Sequence, residues 1–417
     1  MRVSSFVSLR DLRGQIFWSY PKGASAGIIA DMDDINRYVG NAEMFPILRS
    51  WDFYNHAGVS PLPHASAQAV IDYARQAEAH SYLNAGWRPA IDQARGAAAG
   101  LLNCSKAEIA FVKSTADGLS IVARGIDWRS GDRIVTTSVE YPTNMYPWMD
   151  VAKRYGVDLV VVAEETDKNG ARAVPLAKLL EAAAKPGVKA VAVSHVEFGS
   201  GQRIDLAAIG AFCRERGILL IVDAIQSFGA VPIDVTAMKI DYLSAGGQKW
   251  LLSPEGTGIF YCRKELLEKT PPLVVGAMSV VNFMDFENYN LNLKPDAGRF
   301  ESGGMNVAGL MGMAASLDLF TRVGMGAISS RLKKMGDQLI EGVLRKGYTI
   351  GCPRDGEQWS GIVSFASSKG SHEEIVANLK KEHRIELAVR HGRIRASAHF
   401  YNTEEQVERL VGGLPGN

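Results

Sequence analysis

Short apolar runs rich in valine and isoleucine mark the middle of the chain, at 108–113, 133–138, 159–163, 190–194 and 218–222. Most are separated by segments whose apolar residues recur at helical spacing. That rhythm predicts a largely parallel sheet buried on both faces. One connection can be read residue by residue. Asp205 is placed to cap a helix, Leu206, Ile209, Phe212 and Cys213 recur along one side of it, and Gly217 can take the left-handed position that ends it. The run 218–222 then starts a strand whose far end delivers Asp223. Ligands of open α/β sheets bind at that end, so placement alone marks Asp223 as a candidate.

The pattern changes after about residue 290. Ile328, Leu332, Met335, Leu339 and Val343 form one stripe on a long helix. Capping signals follow at Ser371 with Glu374 and at Thr403 with Gln406, and between them lie strand-like pieces at 386–389 and 393–398. These features divide the chain into an extension (1–43), a large α/β domain (44–290) and a smaller α+β domain (291–417) on which the N-terminal segment packs. No internal repeat or low-complexity stretch interrupts that organisation.

Composition narrows the function classes. At 417 residues and 47% hydrophobic, the chain can bury a large core in two domains. Its 46 basic and 45 acidic residues nearly cancel, which points to neither nucleic acid nor an anionic membrane surface as a partner. Cys104, Cys213, Cys262 and Cys352 are scattered, without the spacing of a zinc site, and read as free thiols in a reducing compartment. The first residues lack the continuous apolar region of a secretion signal, and no run is long enough to span a membrane. A soluble, cytoplasmic protein is the expectation.

Candidate chemistry concentrates in residues 218–261. A strand ends in Asp223, Gln226 follows, a second strand runs through 241–244, and Ala245-Gly246-Gly247-Gln248 leads into Lys249 and the apolar Trp250-Leu251-Leu252. A lone lysine is ordinarily a solvated charge. This one stands between glycines and an apolar run, where burial lowers its pKa and exposes the neutral amine that attacks aldehydes. Pyridoxal 5′-phosphate (PLP) needs such an amine for its Schiff base and a carboxylate beside its pyridine nitrogen. Lys249 and Asp223 meet both needs.

The segment resembles the cofactor-binding core of the class V aminotransferases, within fold type I of the PLP enzymes, and the resemblance extends from about Asn55 to Leu414. It implies an α/β fold with a mostly parallel seven-stranded sheet, a small C-terminal α+β domain and a homodimer with shared active sites. It also implies roles for individual residues. Lys249 matches the Schiff-base lysine, Asp223 the partner of the ring nitrogen and Gln226 a ligand of the 3′-oxygen. Gln248 stands where many relatives have histidine, and Ser244 is carried over as a further cofactor contact. Ser114, Thr115 and Ala116 match the phosphate-binding turn, where a helix N-terminus favours an anion. Tyr141, after Glu140, matches the aromatic residue that stacks on the ring. Phe198 replaces an asparagine that reaches the 3′-oxygen in many relatives, and His195 reads as structural. Arg395, in Gly392-Arg393-Ile394-Arg395-Ala396-Ser397, falls on the arginine that grips the substrate α-carboxylate, with Arg393 two residues away on the same strand face. His56, Ala57 and Trp87 are candidate substrate-pocket residues. Gly304 replaces a threonine, which puts one contact across the dimer in doubt.

The implied substrate is an α-amino acid. Aminotransfer is the leading expectation, with C–S or β-elimination lyase, epimerase and a non-catalytic PLP-binding protein as alternatives. Many cysteine desulfurases carry a nucleophilic cysteine on a loop before the Arg-Ala-Ser strand. Here 389–395 has neither the cysteine nor room for the loop.

Overall fold

The computed structural model describes residues 33–167 and 170–416. Most of the expected extension, residues 1–32 with the expected lack of a secretion signal, lies outside them.

Strand β1 (Asp52–Phe53) and helices α1 (His64–His80) and α2 (Trp87–Leu102) precede the main sheet. That region then runs β2 (Ile109–Val112), α3 (Thr115–Gly125), β3 (Arg133–Thr137), α4 (Tyr146–Tyr155) and β4 (Asp158–Val162). A small hairpin, β5 (Glu165–Thr166) with β6 (Arg172–Ala173), precedes α5 (Leu176–Ala183), β7 (Val188–Ser194), α6 (Leu206–Arg216) and β8 (Leu219–Asp223). Strands β9 (Tyr242–Gly246) and β10 (Gly258–Cys262) complete a seven-stranded sheet of order β2-β10-β9-β8-β7-β3-β4, in which β10 alone runs antiparallel to its neighbours. The apolar runs are continuous because both faces are covered. Val191 and Val193 of β7 join one apolar cluster, and the intervening Ala190 and Ala192 join another.

The chain continues through α7 (Val307–Val323), α8 (Met325–Arg345), β11 (Thr349–Ile350), β12 (Ile362–Ala366), α9 (His372–His383), β13 (Ile385–Glu386), β14 (Ala388–Arg390), β15 (Arg393–Ser397) and α10 (Glu404–Gly413). Four of these strands form an antiparallel sheet of order β11-β12-β15-β14, and β13 pairs in parallel with β1. The predicted stripe from Ile328 to Val343 lies buried along α8. The Asp205 carboxylate accepts from Ala208 N–H, and Gly217 takes φ +67°. Thr403 and Gln406 cap α10 reciprocally, whereas Ser371 caps α9 by accepting from Glu374 N–H.

Parallel strands with a shared direction bring their C-terminal ends to one edge. Thr137, Ser194, Asp223 and Gly246 end β3, β7, β8 and β9 there. Across this edge lies β15, joined to β14 by a turn of only two residues, His391 and Gly392, at φ +49° and +69°. Positive φ at both positions is the signature of a type I′ hairpin, whose twist matches its strands. Among the described residues no helix is long and apolar enough to cross a membrane, and no acid, histidine and cysteine cluster could hold a metal.

Candidate active site

Asp223 ends β8 fully inside the protein. Its Oδ1 accepts from Ile225 N–H at 2.9 Å, and its Oδ2 is buried with no partner. Burial raises its pKa to about 6, against the pull of Ile225 N–H and the Lys249 charge. An unpartnered carboxylate oxygen at a strand end is costly, and a protonated ring nitrogen would satisfy it.

Lys249 follows β9 on a tight turn, ahead of the wholly buried Trp250. Its Nζ lies 5.4 Å from the centre of the Tyr141 ring. Burial lowers its pKa to about 8; Asp223 opposes the shift, and Arg395 and Arg390 add to it. The amine is thereby partly neutral near physiological pH, as capture of an aldehyde requires.

The N-terminus of α3 faces the same edge. First-turn N–H groups such as those of Thr115 and Ala116 have no acceptor within their helix, and the helix dipole favours an anion there. Thr115 Oγ1 accepts from Gly246 N–H at 2.8 Å, tying the helix start to the end of β9. Ser114 caps the helix by accepting from Asp117 N–H. Gly118 allows the helix to lie this close, because a Cβ there would stand 2.3 Å from Ser244 Oγ. Ser244 therefore changes role: its single hydroxyl hydrogen goes to Thr115 O at 3.0 Å, so it braces the helix and has no donor left for a phosphate. Gln248, half-buried, flanks the cradle with its side chain folded towards Gly246. The buried orphan on Asp223, the depressed amine and the open helix end together fit PLP.

Arg395 comes from the other sheet. It is buried, donating from Nη1 to Phe198 O at 2.9 Å and from Nη2 to Asn55 Oδ1 at 3.2 Å, while its Nε has no acceptor. No acid among the described residues pairs with it. Burial, then the charge of Arg390, lowers its pKa to about 9. A buried guanidinium without a carboxylate is expensive unless a ligand brings one. Arg393 shares its strand face but turns to Gly170 O, beside the β5–β6 hairpin.

The three pocket candidates lie in different surroundings. His56 is fully buried, with Nδ1 on Ser397 O at 2.8 Å and Nε2 on the Tyr401 hydroxyl at 2.6 Å. Both ring nitrogens are thereby occupied, which ties the segment after β1 to β15 and Tyr401. Ala57 takes part through its backbone, accepting from Gln226 Nε2 and donating to Ser397 Oγ. Trp87 is half-buried at the start of α2, with its ring against Tyr73 of α1. Gln226 is pinned by Ala57 O and by Trp250 Nε1, which donates to its Oε1 at 2.9 Å; one amide hydrogen remains for a ligand. His195 is buried and held neutral, its pKa brought to about 3 by burial and by Arg203.

Asn55, next to the pocket candidates His56 and Ala57 but not itself singled out from the sequence, is a further site contact through its Oδ1, which accepts from Arg395 Nη2. Its signal was the asparagine–glycine spacing in Asn55-His56-Ala57-Gly58. Phe198 supplies its backbone oxygen to Arg395 and sets its ring between Tyr141 and His391, at centroid distances of 5.1 and 4.9 Å.

Residues 53–410 match the family profile described as Aminotransferase class-V. A "probable cysteine desulfurase" of Methanothermobacter thermautotrophicus is 30% identical over 387 residues, spanning 88% of this chain and 94% of the relative. Among solved structures, a cystine C–S lyase in complex with its reaction product cysteine persulfide is 25% identical, with a TM-score of 0.79 over 88% of this chain and 98% of that one. A lysine-to-alanine variant of that lyase, with glycine covalently linked to its PLP cofactor, is 25% identical with a TM-score of 0.82 over 89% and 98%.

Proposed function

This chain belongs to the class V aminotransferase family of PLP enzymes, and from that membership we propose that it is a lyase cleaving the C–S bond of a sulfur-bearing α-amino acid. Aminotransfer was the leading expectation, but the named relatives act on cysteine and cystine, which supports the lyase alternative instead. Bound PLP supplies an electron sink for the bond broken at Cα. Lys249 is the residue that would hold the cofactor and exchange a proton at neutral pH. Asp223 would keep the ring nitrogen protonated, and Thr115 and Ala116 would hold the phosphate. Tyr141 would cover the ring. Arg395 would hold the substrate carboxylate.

The observation that carries the lyase reading over a thiol-relay desulfurase is the two-residue turn His391–Gly392. It leaves no loop to bring a cysteine to the site. The four thiols are free, three of them buried, and burial pushes Cys104, Cys213 and Cys262 up to about 12. Sulfur that leaves Cβ with the electron pair of the C–S bond would therefore depart on a small molecule. A cytoplasmic homodimer is part of the same reading.

The test is to incubate holoenzyme with cystine and with cysteine, and to assay pyruvate, ammonia and low-molecular-weight persulfide or sulfide. Expected is pyruvate with released sulfur, no protein-bound persulfide, and unchanged turnover in a Cys104→Ala/Cys352→Ala double variant. Amino transfer that depends on an added keto acid, with no sulfur release, would overturn the reading.

A further inference from the structure

Behind Tyr141 lie two buried carboxyl groups that the proposed reaction does not use, Glu140 and Glu197. Glu140 is richly served. Its Oε1 accepts from Ser194 N–H at 2.9 Å, and its Oε2 accepts from Ser194 Oγ at 2.6 Å and from Asn144 Nδ2 at 2.8 Å. The Glu197 carboxyl has one hydrogen-bonding neighbour among the described residues. Thr137 Oγ1 stands 3.3 Å from its Oε1 and 3.1 Å from Glu140 Oε1, and its Oε2 is buried without a partner.

Thr137 has a single hydroxyl hydrogen, so it can donate to one of these carboxyls and not to both. Two ionised groups here would leave Glu197 a buried anion with no donor. The hydrogen count closes when Glu197 carries a proton and donates it to Thr137 Oγ1, while Thr137 donates to an ionised Glu140. The clamp this completes reaches the cofactor site at two points. Glu140 immediately precedes Tyr141, and it grips Ser194, the residue paired directly with Asp223 across β7 and β8.

We propose that Glu197 is a positioning residue that works by holding a proton: as the neutral half of an acid–carboxylate pair bridged by Thr137, it keeps Glu140 clamped on Ser194 and so fixes Tyr141 and the strand end that carries Asp223. The proposal rests on the reading of Tyr141 and Asp223 as cofactor contacts. The charged groups bearing on Glu197 are acids from three neighbouring segments: Glu140, Asp223 and Glu164, the last paired with Arg172. Burial first, and then these acids, raise its pKa well above the ordinary carboxyl range, and Glu140 is raised less because Ser194 and Asn144 donate to it. When Glu197 ionises, like charges face each other across one hydroxyl and the clamp loosens.

The experiment compares wild type with Glu197→Gln, which keeps the shape and a donor but cannot ionise, and with Glu197→Ala. The first readout is apoprotein Tm from pH 5 to 9. The folded state keeps a proton that the unfolded chain releases near pH 4.3, so wild type should lose stability relative to Glu197→Gln as pH rises. The second readout is PLP affinity by titration of the apoprotein. Wild-type binding should weaken by about tenfold per pH unit, relative to Glu197→Gln at the same pH, once Glu197 loses its proton; the pH dependence that Lys249 imposes is common to both proteins and cancels. Glu197→Ala should bind PLP more weakly than Glu197→Gln at every pH. Identical pH profiles for wild type and Glu197→Gln in both readouts would overturn the proposal. A Tm difference without any difference in PLP affinity would overturn the link to Tyr141 and Asp223 while leaving the proton on Glu197 in place.

Discussion

Single side chains at this site are defined by what they lack. Asp223 Oδ2 and Arg395 Nε are buried without partners, and Lys249 carries a depressed pKa with no ion pair among the described residues. Because Lys249 titrates near 8, covalent capture of PLP by the apoprotein should quicken as pH rises to about 8 and level off above it. Stopped-flow absorbance across pH 6.5–10 reads this directly, and an inflection near 10.5 would contradict it. Arg395 contributes to that depression, so Arg395→Met should move the inflection upward. On the substrate side, losing a charge-assisted fork in a closed site should lower kcat/KM on the order of a hundredfold or more. Arg393→Ala should cost far less, because Arg393 is turned to Gly170 O. If Arg395→Ala slowed an α-amino acid and the matching amine without a carboxylate equally, the carboxylate role would be wrong. Asp223→Asn should still bind PLP but lose most turnover, since an amide cannot hold a ring nitrogen protonated.

At the scale of elements, the turn between β14 and β15 makes the sharpest demand on sequence. Gly392 sits at φ +69°, so Gly392→Val should destabilise the protein by about 1–2 kcal/mol or more, through the left-handed strain of a side chain there. Urea unfolding would measure it, and an unchanged midpoint would mean that the turn adopts another form. Elements of this kind were legible in the chain because their signals are local. Asp205, Gly217 and the α8 stripe each act within a few residues of one another. The run 258–262 gave less, since a five-residue apolar strand that reverses direction has no crossover helix to announce it. The site divides in the same way. Lys249 and Asp223 stand within one motif. The Glu140–Thr137–Glu197 bridge and the bracing role of Ser244 depend on which of several hydrogens goes to which neighbour, and that exists only once β3, β7, β9 and α3 have met.

For the whole molecule, the surface beside the site carries the remaining argument. A cavity of about 600 Å³ reaches outward from Ala116 and Tyr141 between Tyr146, Pro147 and Leu273. Large apolar side chains stand exposed nearby and along the following segment: Val274, Val275, Phe286, and Tyr289, which is 98% exposed. Arg88 lies over the Phe283 ring, which ties that segment to the start of α2 and so to Trp87. A lone chain rarely displays so much apolar surface, and the homodimer reading gives it a use as a subunit contact beside the cavity that Ala116 and Tyr141 line. Light scattering should then give twice the chain mass, and Val274→Asp with Tyr289→Asp should shift the protein toward monomer. The same double variant should bind PLP more weakly, although neither residue belongs to the Lys249 cluster. Saturating PLP at about 100 times its Kd should stabilise the wild type by about 2.7 kcal/mol, visible as a rise in Tm, and the monomeric variant should lose most of that rise. A monomeric wild type that binds PLP as tightly as the dimer would mean that one chain completes its own site and that the exposed strip serves something else.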